Sequence, residues 1–189
     1  EVTLCDGAGR FARTTVLALE PGLVRLKVEA LFPSESEPQL RVSVYMGFPK
    51  ADKLEHVVQK ATELGAFEIV AFPCERSISR PDAKSLSKKL ERWQKIAASA
   101  AEQSGRGRIP QVLTLPSFDA AVARASQADW AALFYEKERD GSIAATLPPE
   151  LATAAILTGP EGGLTEDEVE RARQAGVKVC TLGKRILRC

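Results

Sequence analysis

The chain has 189 residues, of which 44% are hydrophobic and 27% charged, a globular composition that excludes a disordered chain and is long enough to bury a core without staples. Its 26 Lys and Arg against 25 Asp and Glu leave +1, a total that by itself gives no sign of a polyanionic partner. No apolar run approaches the roughly 20 residues of a membrane span, no charged start with an apolar stretch marks a signal peptide, and Cys5, Cys74, Cys180 and Cys189 form no C-x-x-C, so reduced thiols, no metal site and a cytoplasmic location are expected.

Residues 1–31 alternate in short runs separated by turn signals at Asp6-Gly7 and Pro21-Gly22, the pattern of a β-meander. Residues 32–38 are polar and proline-bounded and read as a linker. The expected division is therefore a partial β-piece over 1–38 and a second domain over 39–189. Leu40, Val42, Val44, Met46 and Phe48 alternate with more polar neighbours as a strand. The spacing then turns helical: Leu54, Val57, Val58, Ala61 and Leu64 share one face, and Gly65 stands where a helix would end. The single histidine, His56, falls opposite that stripe, which fits a solvated side chain better than a triad member.

A buried strand over 68–73 is followed by a long helix over 84–103, a strand over 112–115, and a helix over 118–128 with Ser117 as N-cap. Apolar strands over 131–135 and 153–158 come next. Thr165 and Glu168 form a T-x-x-E capping box for a helix that ends before Gly176, and 177–182 is the last strand. Strands alternating with helices predict an α/β layer with a mainly parallel sheet.

In such a sheet ligands bind at the carboxyl ends of strands, and three strands run into unusual loops. One runs into Glu136. The second runs into Gly159-Pro160-Glu161-Gly162-Gly163, whose glycines allow a ligand close to the backbone. Glu161, Glu166, Asp167 and Glu168 would repel a phosphate there, and the loop is neither G-K-[ST] nor G-x-G-x-x-G. A cationic or neutral ligand fits better, and S-adenosylmethionine (SAM) is one that qualifies. The third loop, from Gly183 to Arg188, places apolar Ile186 and Leu187 between arginines, as if to cover a ligand or a second subunit.

Charge is also unevenly spread. Residues 76–108 carry nine basic side chains against three acidic ones, residues 129–170 carry two against ten, and residues 171–189 carry six against none. The neutral total thus conceals an acidic stretch around the glycine loop and two basic stretches suited to RNA.

Several ordered motifs together resemble the RsmE family of 16S ribosomal RNA methyltransferases, within the SPOUT superfamily. They are Pro49-Lys50-Ala51-Asp52-Lys53-Leu54-Glu55, Gln59 to Gly65, Glu75-Arg76-Ser77, Glu91-Arg92-Trp93, Glu102-Gln103-Ser104 with Arg106, the Gly159–Gly163 loop, and Leu182 to Arg188. The resemblance implies an α/β SPOUT-type domain with a C-terminal trefoil knot, preceded by a truncated β-rich PUA-like piece. It also implies a homodimer, SAM as cofactor, and methylation of N3 of uridine 1498 in 16S rRNA, within the assembled small subunit. On this reading SAM is cradled by Gly159, Pro160, Glu161, Gly162 and Gly163 of one loop and by Leu182, Gly183, Ile186 and Leu187 of the other. Lys50, Arg76, Arg92, Arg106, Arg108 and Arg188 contact RNA. Glu136 or Glu161, or a water held by one of them, serves as base, and Arg185 stabilises charge developing on the uracil oxygens. A SPOUT 2′-O-ribose methyltransferase and a non-catalytic RNA-binding module are the competing readings.

Overall fold

The alternating residues at the start of the chain pair as an antiparallel meander of β1 (Val2–Cys5), β2 (Arg10–Glu20) and β3 (Leu23–Pro33). The β2–β3 turn falls at Gly22, whose φ of 76° lies in the left-handed region, where glycine carries no Cβ penalty. The computed structural model describes residues 1–183 and 185.

Residues 32–38 are not a free linker. β3 runs on to Pro33, Ser34 N–H donates to the Gly9 carbonyl, and the Ser36 hydroxyl donates to the Gly105 carbonyl. The anchor is Arg106, whose side chain is only 3% exposed. Its Nε and Nη2 donate to the two Glu37 carboxylate oxygens, and its Nη1 donates to the Thr62 and Ala66 carbonyls. A cation this deep persists only when paired and fully hydrogen-bonded. Arg106 is therefore a structural residue joining the meander to the rest of the chain, and its expected RNA contact is corrected by its burial. Arg108 belongs to the same junction: its N–H donates to Glu37 and its guanidinium lies over the Phe67 ring, 5.3 Å from the centroid.

The remaining chain alternates strands and helices: β4 (Arg41–Gly47), α1 (Lys53–Glu63), β5 (Glu68–Phe72), α2 (Ala83–Gln103), β6 (Gln111–Thr114) and α3 (Phe118–Ala125). Then follow β7 (Trp130–Phe134), α4 (Ile143–Thr146), β8 (Thr153–Thr158), α5 (Glu166–Gln174) and β9 (Lys178–Cys180). The six strands stand in the order β6-β5-β4-β8-β7-β9, and every neighbouring pair is parallel. All five residues of β5 are buried, as a strand covered on both faces requires. One face packs Met46, Ile69 and Ala71 against Leu54 and Val58 of α1 and Trp93 and Ala97 of α2. The other packs Tyr45, Val70 and Leu133 against Phe118 and Val122 of α3 and Val169 and Ala172 of α5.

The expected caps are present. The Ser117 hydroxyl accepts from Ala120 N–H, and Thr165 with Glu168 forms the reciprocal capping box of α5. The differences lie where periodicity is absent. α4 is a single turn that no stripe announces, and β9 is limited to three residues.

Burial raises the Glu37 carboxyl, but the Arg106 guanidinium and backbone N–H groups outweigh it and hold the group below the usual carboxylate range. That stabilisation is present at neutral pH and is lost as pH falls through the lowered value. Glu37→Ala should cost about 3 kcal/mol in urea unfolding, because it leaves a buried cation without its counter-charge, and should flatten the acid limb of stability. A loss under about 1 kcal/mol would contradict this role.

Candidate active site

The carboxyl ends of β7, β8 and β9 border one cavity, at the edge where parallel sheets bind ligands. Phe134, Tyr135 and Glu136 contribute from β7, Thr158, Gly159 and Pro160 from β8, and Thr181, Leu182 and Gly183 from β9. Two main-chain bonds lock the ends together: Tyr135 N–H to the Cys180 carbonyl, and Thr181 N–H to the Gly141 carbonyl at 2.8 Å. Gly141 permits that closure, since a Cβ there would lie 2.2 Å from the Val179 carbonyl oxygen.

Leu164 is 2% exposed and closes the inner end. Gly163 has φ +69, and a Cβ on it would sit 2.9 Å from a Glu136 carboxylate oxygen. The Glu136 carboxylate thus packs on bare backbone within the cavity lining. Arg139 and Arg185 complete the charged lining. Sequence reasoning missed Arg139; the signal that could have found it is the run of charged residues over 136–140.

Two loop residues lie elsewhere. Glu161 does not border the cavity. Its carboxylate is 2.8 Å from Lys53 Nζ and accepts from Lys50 N–H at 3.2 Å, which ties the loop to the start of α1. Burial raises the Glu161 carboxyl, but Lys53 and backbone N–H groups hold it below the usual range. Gly162 lies on the loop's other side, where a Cβ would be 3.1 Å from the Arg76 Cβ and carbonyl. Arg76 Nη1 donates to the Gly162 and Leu164 carbonyls, both at 3.3 Å. Buried Glu168 accepts from Glu75 N–H at 2.8 Å and Thr165 N–H at 2.9 Å. The loop after β5 is thereby clamped to the loop after β8.

This arrangement revises the reading of acidity around the glycine loop. Glu161 is paired with Lys53, Glu166 with Lys137, and Asp167 with Arg171, while Glu168 is held by backbone N–H groups. None of these four carboxylates lines the cavity. Among the residues expected on RNA, Lys50 and Arg76 are exposed, and Arg92 pairs with Glu55 while keeping 64% of its side chain exposed. Ile186, Leu187 and Arg188 lie outside the described residues. His56 is exposed on α1.

Cys74 lies beneath the glycine loop, against Gly47 and beside Ser77. Burial, reinforced by the nearby Glu168 charge, pushes its thiol up to about 12, which leaves almost no thiolate at neutral pH. In the folded protein Cys74 should resist iodoacetamide while exposed Cys5 is alkylated. Peptide mass mapping that finds Cys74 modified as fast as Cys5 would contradict this.

Residues 35–189 match the RNA methyltransferase domain family. Over its full length the chain is 37% identical to ribosomal RNA small subunit methyltransferase E of Bacillus subtilis, covering 76% of that protein. It is 32% identical to the protein of the same name from Mycobacterium bovis, again over its full length, covering 72% of that relative. The crystal structure of a ribosomal RNA small subunit methyltransferase E from Neisseria gonorrhoeae bound to S-adenosyl methionine superposes with a TM-score of 0.86 at 31% identity, covering 99% of this chain and 76% of that one. By these matches and by its fold, the chain belongs to the ribosomal RNA small subunit methyltransferase E family.

Proposed function

We propose that the chain transfers a methyl group from SAM to N3 of uridine 1498 in 16S rRNA. The observation that carries this reading is the cavity at the ends of β7, β8 and β9, where Glu136, Arg139 and Arg185 share a lining otherwise made mostly of backbone and apolar surface. That lining suits SAM. Phe134, Leu164 and Leu182 offer apolar area, main chain around Gly159, Pro160, Gly163 and Gly183 offers polar edges, and the Glu136 carboxylate complements a sulfonium. When bound, SAM supplies the electrophilic methyl group.

The chain's own residues have three tasks. Uracil N3 carries a proton that must leave, and Glu136 is the carboxylate in the lining able to take it, since Glu161 is engaged by Lys53. Arg185 holds negative charge developing on the uracil oxygens. The rigid strand ends position the base, and positioning supplies much of the rate in a displacement of this kind. N3 lies on the pairing edge, so the uridine enters unpaired or extruded. Exposed Lys50, Arg76 and Arg92 supply phosphate contacts outside the cavity.

The placement of β8 between β4 and β7 supports a C-terminal half threaded as a trefoil knot. The antiparallel meander supports a PUA-like RNA-binding piece ending near residue 38. A homodimer acting in the cytoplasm on the assembled small subunit completes the proposal.

Labelled SAM with unmethylated small subunits should yield N3-methyluridine at one position by nucleoside mass spectrometry, with naked 16S rRNA a poorer substrate. Methyl on a ribose 2′-oxygen, or none at all, would overturn the assignment. Gly163→Val, which drives a side chain into Glu136, should weaken SAM at least about tenfold by calorimetry, roughly 1.4 kcal/mol. Gly162→Val, which meets Arg76 instead, should leave SAM affinity within about twofold. The reverse order would show that the other face of the loop binds the cofactor.

A further inference from the structure

The loop from Glu136 to Gly141 is held along its length. The Glu138 carboxylate accepts from Arg139 N–H at 2.9 Å and Asp140 N–H at 3.1 Å, and pairs with Arg173 of α5 at 3.1 Å. Those two N–H groups, with Arg173 adding to them, hold the Glu138 carboxyl below its usual range. Gly141 is pressed against the Val179 carbonyl and accepts from Thr181 N–H. From this braced loop the Arg139 side chain stands exposed on the cavity lining. Glu136, Glu138 and Asp140 all lie within three positions of it, yet among the described residues its guanidinium makes no ion pair and no hydrogen bond. A guanidinium carried on a braced backbone, and unpaired among the described residues beside three carboxylates, is available to an anion from outside the chain.

We propose that Arg139 receives a backbone phosphate of the substrate RNA next to the target nucleotide. This rests on the methyl-transfer reading above. The geometry favours phosphate over an anionic group of the cofactor because Arg139 is exposed, whereas the inner end of the cavity is closed by buried Leu164. A guanidinium also matches two phosphate oxygens at once. It carries no base information, so Arg139 sets the register in which the target uridine meets Glu136 and Arg185.

The test compares Arg139→Gln, Arg139→Ala and Arg139→Lys with the unaltered protein. The expected result for Gln and Ala is a KM for unmethylated small subunits raised about tenfold, with kcat within about twofold and the salt dependence of RNA binding reduced by about one phosphate contact. Lys should recover most of the loss. The thermal midpoint should not move, since Arg139 makes no hydrogen bond or ion pair among the described residues, and SAM affinity by calorimetry should stay within about twofold. Weakened SAM with unchanged KM would assign Arg139 to the cofactor and overturn the proposal. A fall in kcat alone would assign it to the reacting base, with the same consequence, and a lowered thermal midpoint with parallel losses would make it structural. If the unaltered protein does not methylate small subunits, the methyl-transfer reading fails; if it does and Arg139→Gln is indistinguishable from it, only this proposal fails.

Discussion

β8 is hydrogen-bonded along both edges. On one side it runs in register with β4 from Arg41 opposite Thr153 to Met46 opposite Thr158, and on the other with β7 until Phe134 stands opposite Thr158. β9 pairs with the same end of β7, and its last partner is again Phe134, opposite Cys180. Three strands distant in sequence therefore stop level with one another. Their outgoing loops start from a common plane, and the cavity is the space those loops enclose. A one-residue slip of β8 would turn its side chains to the opposite face of the sheet, so packing on the two faces fixes the register that the site depends on.

Electrostatics follows from that frame. Most of the acid side chains between residues 129 and 170 are ion-paired or hydrogen-bonded within the chain. Asp129 accepts from the backbone of Ala152 and Thr153, Glu138 pairs with Arg173, Glu161 with Lys53, and Glu166 with Lys137. What remains on the cavity lining, among the described residues, is one carboxylate, Glu136, with two guanidiniums, Arg139 and Arg185. On the proposed reading, the carboxylate complements a sulfonium donor and the guanidiniums meet an RNA acceptor. The buried Arg106–Glu37 pair serves another end. It fixes the N-terminal sheet against the loop after α2, so the two parts present a set spatial relation to any common partner.

Much of this was legible in residue order. Period-two and helical spacing located nearly every strand and helix, because burial on one face or two leaves that imprint directly. Gly159, Pro160, Gly163, Leu182, Gly183, Glu136 and Arg185 were singled out from strand-end loops, and the structure brings them to one cavity. Other features were not legible. Whether Glu161 and Gly162 face the cavity or α1 depends on which way a five-residue loop turns, and composition is silent on that. Arg106 looked like part of a basic surface because its partner, Glu37, lies 69 positions away. Arg139 passed unnoticed because its distinguishing property is the lack of a partner among close acids, and a pairing state is a property of coordinates. Strand order, with β8 inside β7, likewise has no local signature.

The proposed SAM site is formed jointly by the ends of β7, β8 and β9. Amide hydrogen exchange followed by mass spectrometry, with and without SAM, tests it most directly. Exchange should slow in peptides covering 135–141, 158–164 and 180–183, while the exposed face of α1 and the meander over 2–33 stay unchanged. Slowing confined to one of the three loops, or centred on α1 or the meander, would contradict the account.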